Sequence, residues 1–393
     1  MDLSLSDEQQ AFRAVSRDML ERVCSSEEIH LATTPGGTGH SERIWRALVK
    51  ADWLAMPFAE RFDGAGASLF DVGLAYCEAG RALVPTTLYS TVAAGLFIAN
   101  VATTEQKEQL LPPLCRGERI ASIAFAEPAV FEDFDLIGTT AVATAGGWII
   151  EGTKSFVANG GTADVLVVLA RIAEGPAGPG FGLFAVPCST NGVRIDPYLT
   201  FGQDALFEVG FDRCLVPAQA LLGGTDAISD WHVLCDETFG QIRALHCMEM
   251  VGGIEGVLDR TVRYVSQRYQ FGVPIGSFQA VQHHLADVAM RLEAGRIAAF
   301  RALWATSERR TAKREVTVAE LWLSETYVQA TLTAHQVWGG MGYAVEGDLH
   351  LYSQRAKTLD LLCGRRATRL EYLLQAPVPA EPRDAVDEVA GHA

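Results

Sequence analysis

A mostly α-helical chain with a central β domain is predicted by three observations. Apolar residues recur at helical spacing over roughly the first 118 positions, short β-rich runs separated by glycine turns fill the next hundred or so, and long helical periods return after Gly223-Gly224. The expected architecture is an N-terminal helical domain at 1–118, a β barrel or sandwich at 119–226, a C-terminal four-helix bundle at 227–376 and a disordered tail at 377–393. At 393 residues and 42.5 kDa the chain is long enough for two or three packed units.

In the first domain, Ser6 followed by Asp7 and Glu8 suits a helix N-terminus, and Phe12, Val15, Met19, Leu20 and Val23 continue it at helical spacing. Further helical patterns lie around Trp45–Trp53, Leu69–Leu83, Leu88–Val101 and Glu105–Leu114, punctuated by Pro85 and Pro112-Pro113. Strands are expected at Ile120–Phe125, Thr140–Ala143, Trp148–Glu151, Val165–Ala170, Phe181–Val186 and Leu206–Phe211. Glycine turns at 146–147, 160–161 and 175–182 separate several of them. The bundle helices are expected at about 227–268, 278–310, 316–338 and 346–363.

Bulk properties exclude several classes. A net charge of −16 opposes nucleic-acid binding, since phosphates require a basic face. No apolar run of about 18 residues suggests a membrane span, and the acidic N-terminus lacks the features of a signal peptide. Eight scattered cysteines without a C-x-x-C pair suit reduced thiols in a cytoplasmic protein. His246 and the His283-His284 pair are read as ordinary polar positions, since no carboxylate–histidine spacing such as i, i+3 supports a metal site.

Two segments carry the functional signal. Arg268-Tyr-Gln-Phe-Gly272 ends a long helix and continues through Pro274-Ile-Gly-Ser-Phe278-Gln. A guanidinium at a helix end, just before a turn, suits bidentate contact with a pyrophosphate. Gln336-Val-Trp-Gly339-Gly340-Met-Gly342-Tyr343 is the second, and its glycines let backbone N–H groups approach a phosphate. Together these segments, in this domain order, resemble the acyl-CoA dehydrogenase family from about residue 5 to 375.

The resemblance implies an FAD flavoprotein that desaturates an acyl-CoA thioester between its α and β carbons. It implies that Arg268 binds the flavin pyrophosphate, often across a subunit interface, with Gln270, Phe271, Ile275, Phe278, Gln336, Gly339 and Gly340 around the same cofactor. In the β domain, the backbone of Phe125 and Ala126, in Phe125-Ala-Glu-Pro128, and the ring of Phe156, in Lys154-Ser-Phe-Val-Ala158-Asn159, would cover the isoalloxazine. Ala126 and Ala158 stand where the family uses hydroxyls, and Phe131-Glu-Asp133 where it reads Gly-Ser-Asp. Implied partners are an electron-transfer flavoprotein or equivalent acceptor and further subunits, in a homo-oligomer or a heterotetramer with a paralogous chain.

Neither family position for the catalytic glutamate holds one. Counting from the Gly-Gly pair reaches Cys363, and counting 26 residues back from Arg268 reaches Ile242, followed by the Arg243 that the family also carries there. Asp360 and Glu249 are the nearby carboxylates that could be recruited, and Arg243 is a candidate organiser of the site. Three readings follow. The first is a base-lacking subunit of a heteromeric dehydrogenase, similar to bacterial steroid-degrading assemblies; Asp348-Leu-His350-Leu-Tyr-Ser-Gln-Arg355 resembles that branch and implies a substrate bulkier than a simple fatty acyl group. The second is a homomer with a displaced base, and the third a non-catalytic flavin-binding or structural subunit.

Overall fold

The computed structural model describes residues 4–33, 37–128, 136–173, 179–202, 204–308 and 312–376. The Phe131-Glu-Asp133 segment and the expected tail at 377–393 lie outside the described residues.

Six helices open the chain: α1 (Asp7–Val23), α2 (Ser26–Ala32), α3 (Glu42–Lys50), α4 (Leu69–Arg81), α5 (Thr87–Val101) and α6 (Thr104–Cys115). Ser6 caps α1 as its sequence predicts: its hydroxyl accepts from the Gln9 amide at 3.2 Å, while Gln9 Oε1 accepts from the Ser6 amide at 3.1 Å. Pro112 and Pro113, read as punctuation, fall inside the last turn of α6. The carbonyls they leave unpaired belong to the exposed Glu108 and Gln109, where water can serve them. Helix α5 is apolar all round and buried along most of its length.

The middle of the chain forms β1 (Ala121–Ala124), β2 (Thr140–Thr144), β3 (Gly147–Ala158), β4 (Val165–Ile172), β5 (Gly180–Pro187), β6 (Val193–Pro197) and β7 (Leu206–Val216). They build one seven-stranded sheet in the order β1-β4-β2-β3-β7-β6, with β5 on the other edge of β4. Strand β4 pairs in parallel with β1 over Val165–Val168, and with β2 at Arg171 and Ile172, which curls the sheet. One face packs Trp148, Ile150, Phe184 and Val209 into a core of its own. The other contributes Val165, Val167 and Leu169 to the main helical core. Two irregularities bend β3 against β7, between Ile150 and Gly152 and between Lys154 and Val157.

The C-terminal region comprises α7 (Ala227–Gln267), a hairpin of β8 (Tyr269–Gln270) and β9 (Val273–Pro274), then α8 (Gln279–Ser307), α9 (Lys313–Trp338), α10 (Leu349–Leu362) and α11 (Arg366–Gln375). Helix α7 packs on α4, α5, α8, α9 and α10. Its crossing with α4 is set by two glycines. A Cβ on Gly252 would collide with the Cys77 carbonyl of α4, and one on Gly80 with the Glu249 carbonyl of α7. Each backbone therefore occupies the space where the other's side chain would stand.

In an open helix, Gly→Ala stabilises by about 0.5–1 kcal/mol. At Gly252 the opposite is expected, because the obstructing atom is backbone. Gly252→Ala should destabilise by about 1–3 kcal/mol, read as a lower urea midpoint with an unchanged slope. A variant as stable as the parent would mean that the two helices do not meet this closely.

Candidate active site

The flavin-type residues on the bundle gather at one end. Helix α7 stops at Gln267, the Arg268 amide donates to the Tyr264 carbonyl at 2.8 Å, and the Arg268 carbonyl accepts from Ile275 at 2.8 Å. Between them the β8–β9 hairpin turns through Phe271 at φ 55° and Gly272 at φ 81°, a pair of positive values typical of a two-residue turn. The turn pushes Phe271 into solvent at 94% exposure, with Phe278 ring to ring at 6.2 Å. Arg268 and Gln270 are exposed, and Ile275 is half-buried. Among the described residues Arg268 has no ion-pair partner.

The Gly339–Gly340 segment adjoins this end. Tyr264 stacks on Trp338 at 4.3 Å and donates to its carbonyl at 3.4 Å, tying the last turn of α7 to the end of α9. Gly339 has φ 60° and ψ −138°, a conformation that excludes side chains. No heavy atom lies within 4 Å of where a Cβ on either glycine would sit. The protein's own packing does not require these glycines, and a ligand's phosphates could approach the backbone there. Gln336 is exposed one turn earlier.

On the β domain, the Lys154–Val157 irregularity sets Phe156 at φ 55° and leaves its ring 46% exposed, 5.3 Å from the ring of Tyr198. Phe125 behaves differently: its ring is buried against Phe97 and Phe239, at 4.8 and 5.4 Å. Its carbonyl accepts from Lys154 Nζ at 3.1 Å, and the Ala126 carbonyl accepts from the Ser155 amide at 2.9 Å. Lys154 is fully buried, and burial pushes it down to about 8 despite its 2.7 Å ion pair with Glu127. Glu127 also accepts from the Gly138 and Thr139 amides, which pins the corner carrying Phe125 and Ala126. Ala158 closes β3 opposite Leu206.

The two glutamate positions converge on one stretch of α7. Ile242 is buried in the core. Cys363 caps α10, and burial holds its thiol far above the ordinary value, reinforced by Glu320; it stays protonated. Arg243 is within electrostatic reach of Cys363 and Cys247, but its guanidinium is gripped by Glu320 of α9, through Nε at 2.7 Å and through Nη2. Asp360 pairs with Lys357 at 2.8 Å on the helix surface. Glu249 is buried, with Oε1 accepting from Arg355 at 2.6 Å and Oε2 facing His246 Nδ1 at 2.8 Å. Burial opposes its ionisation, yet Arg355 and His246 outweigh burial and hold the carboxyl below its ordinary 4.5.

His246 and Glu249 stand at i, i+3, which corrects the reading that no such pairing was present. The spacing is legible in the sequence, and it marks a hydrogen-bonded dyad rather than a metal site. Arg355, which no motif flagged, completes it, with its guanidinium 4.9 Å from the Tyr89 ring centroid. His283 and His284 are exposed on α8. Among the described residues, one group has metal-ligand proximity: Cys77, Glu78 and Glu255. Arg13, Arg17 and Arg296 already neutralise its carboxylates.

A helical–β–helical chain with an open arginine and a bare double glycine at one bundle end is the architecture of a flavin-dependent oxidoreductase class. Family models for the acyl-CoA dehydrogenase N-terminal, middle and C-terminal domains match residues 6–118, 122–214 and 231–376. The chain belongs to the acyl-CoA dehydrogenase family, FAD-dependent oxidoreductases acting on CH–CH donors. It is 29% identical over 359 residues to benzylmalonyl-CoA dehydrogenase of Aromatoleum aromaticum, covering 90% of this chain and 93% of that one. Butyryl-CoA dehydrogenase from Megasphaera elsdenii superposes with TM-score 0.84 at 25% identity, over 95% of this chain and 98% of that one. The Tcur3481-Tcur3483 steroid ACAD superposes with TM-score 0.81 at 29% identity, over 94% and 97%.

Two outcomes are expected. Glu249→Gln leaves buried Arg355 with only the more distant Asp204, at 3.6 Å, as counter-charge and should destabilise by about 3 kcal/mol in chemical denaturation. Because the folded carboxyl lies below 4.5, its stabilisation is present above that pH and lost as pH falls through the folded value; the variant should flatten this acid limb. Separately, Arg268→Lys should weaken FAD retention at least about tenfold, read from the flavin's visible absorbance after dialysis, since an ammonium lacks the bidentate fork.

Proposed function

We propose that this chain carries out FAD-dependent α,β-dehydrogenation of an acyl-CoA thioester, with a proton acceptor that is not a carboxylate of this chain. The observation carrying the second clause is the state of the four candidate positions. Ile242 has no acid, Cys363 is held protonated, Asp360 is paired on the surface, and both oxygens of Glu249 are engaged.

When bound, FAD supplies the hydride acceptor for the β-hydrogen. The chain's own residues do the rest. Arg268, with the backbone of Gly339 and Gly340, would hold the pyrophosphate, flanked by Gln270, Phe271, Ile275, Phe278 and Gln336. Half-exposed Phe156 and the corner at Phe125 and Ala126 would wall the isoalloxazine and exclude water. The family resemblance, in which the pyrophosphate arginine often reaches across a subunit interface, supports a flavin site shared between subunits, hence an oligomer.

A paralogous partner chain bearing a glutamate is one source of the missing acceptor, in a heterotetramer. The likeness to the Tcur3481-Tcur3483 steroid ACAD, an assembly of two named chains, supports this source and an acyl group bulkier than a simple fatty chain. An electron-transfer flavoprotein or an equivalent protein would be the partner that accepts the electrons. Arg243, held by Glu320, would act by positioning the end of α10 rather than by touching substrate.

The chain purified with FAD should lose the flavin's visible band on anaerobic addition of a suitable acyl-CoA, alone or after co-expression with a paralogous chain. A flavin-loaded protein that no ester bleaches, in either form, would sink the dehydrogenase reading and favour a structural subunit.

A further inference from the structure

We infer that His246, backed by Glu249, is the proton acceptor of this chain, taking over the role of the absent glutamate; the inference rests on the dehydrogenase reading above. Ile242, His246 and Glu249 lie at i, i+4 and i+7 on α7, so they share one helical stripe. The imidazole is thus one turn from a position where the family's base resides. It is 23% exposed as a side chain, whereas Glu249 behind it is 1% exposed. The accessible member of the dyad is the histidine.

The chemistry of the pair fixes the tautomer. Glu249 is held ionised by Arg355, and a carboxylate only accepts, so the proton between the pair resides on His246 Nδ1. In the neutral ring, Nε2 is then an acceptor with an open lone pair, and among the described residues it has no hydrogen-bond partner. A buried donor stands beside it. The Tyr89 ring is 5.9 Å from the imidazole, and the Tyr89 hydroxyl is buried without a hydrogen-bond partner among the described residues. Removing a proton α to a thioester carbonyl requires both an acceptor for the proton and a donor for the oxygen that gathers charge. His246 and Tyr89 offer one of each.

In the step proposed, the Cα–H bond breaks and its proton passes to His246 Nε2. The electron pair left behind forms the Cα=Cβ bond, and the Cβ hydrogen departs with its bonding pair to oxidised FAD. The imidazolium so formed is stabilised by the Glu249 carboxylate through Nδ1–H. It returns its proton to water once the electron acceptor has reoxidised the flavin.

The test uses the full chain, FAD-loaded and flavin-stripped, with butyryl-CoA, octanoyl-CoA and 3-phenylpropionyl-CoA in D2O. Wild type expressed alone should incorporate deuterium at C2 of at least one ester, read by mass spectrometry in either form. His246→Gln should cut both this exchange and flavin reduction at least about 100-fold while keeping FAD and the unfolding midpoint. Tyr89→Phe, which preserves shape, should cut exchange at least about tenfold. Exchange in His246→Gln within threefold of wild type, or none by wild type with any ester, overturns the assignment. Flavin reduction that requires a paralogous chain and ignores His246→Gln also overturns it, while leaving the dehydrogenase reading intact.

Discussion

The close crossing of α4 and α7 is the constraint on which the rest of the structure depends. With Gly80 and Gly252 letting the backbones touch, residues on either side of the contact are forced into the interior whether apolar or charged. Glu78 on α4 and Glu249 and Glu255 on α7 are all buried there. Each must be neutralised by an arm from another element: Arg13 and Arg17 from α1, Arg296 from α8 and Arg355 from α10. Apolar replacements could match or exceed such ion pairs in stability, so their contribution here is one of register. Five helices are locked to one another by these ion pairs.

That lock explains why the stretch of α7 around residues 242–249 is chemically unusual. One stripe faces α4, α5 and α10 and carries His246 and Glu249 beside Tyr76 and Tyr89. The adjoining stripe, with Arg243 and Cys247, faces α9 and the end of α10, where Glu320 and Cys363 lie. Arg243 is thereby drawn towards α9. Burial, with Glu320 beside it, holds the Cys363 thiol protonated, so Cys363 contributes shape rather than charge.

Much of this was legible in the sequence, and the exceptions have physical causes. The long helices α7 to α9 were visible because their apolar periods run for many turns. Strand β6 was not, since it is a short edge strand with Arg194 and Asp196 facing outward and Pro197 at its end. Strand β3 runs to Ala158 rather than Glu151, because its irregularities break the alternation that marks a strand. Helix α11 is separated from α10 only by Cys363, Gly364 at φ 78° and Arg365, a break the helical period does not announce. Arg268 and Gly339-Gly340 stood out because a helix-end arginine and a glycine pair at a helix end are residue types with few substitutes. The Glu249–Arg355 pair joins positions 106 residues apart, and no local pattern records such a contact.

Exchanging a carboxylate for a neutral acceptor also changes the charge of the site. A glutamate begins negative and becomes neutral as it takes the α-proton, so a positive neighbour such as a free arginine would suppress its basicity. An imidazole begins neutral and becomes a cation, so it needs a fixed negative charge behind it and no unpaired cation beside it. The observed arrangement meets both requirements: the Glu249 carboxylate accepts from His246 Nδ1, Arg355 is paired with Glu249 and Asp204, and Arg243 is neutralised by Glu320.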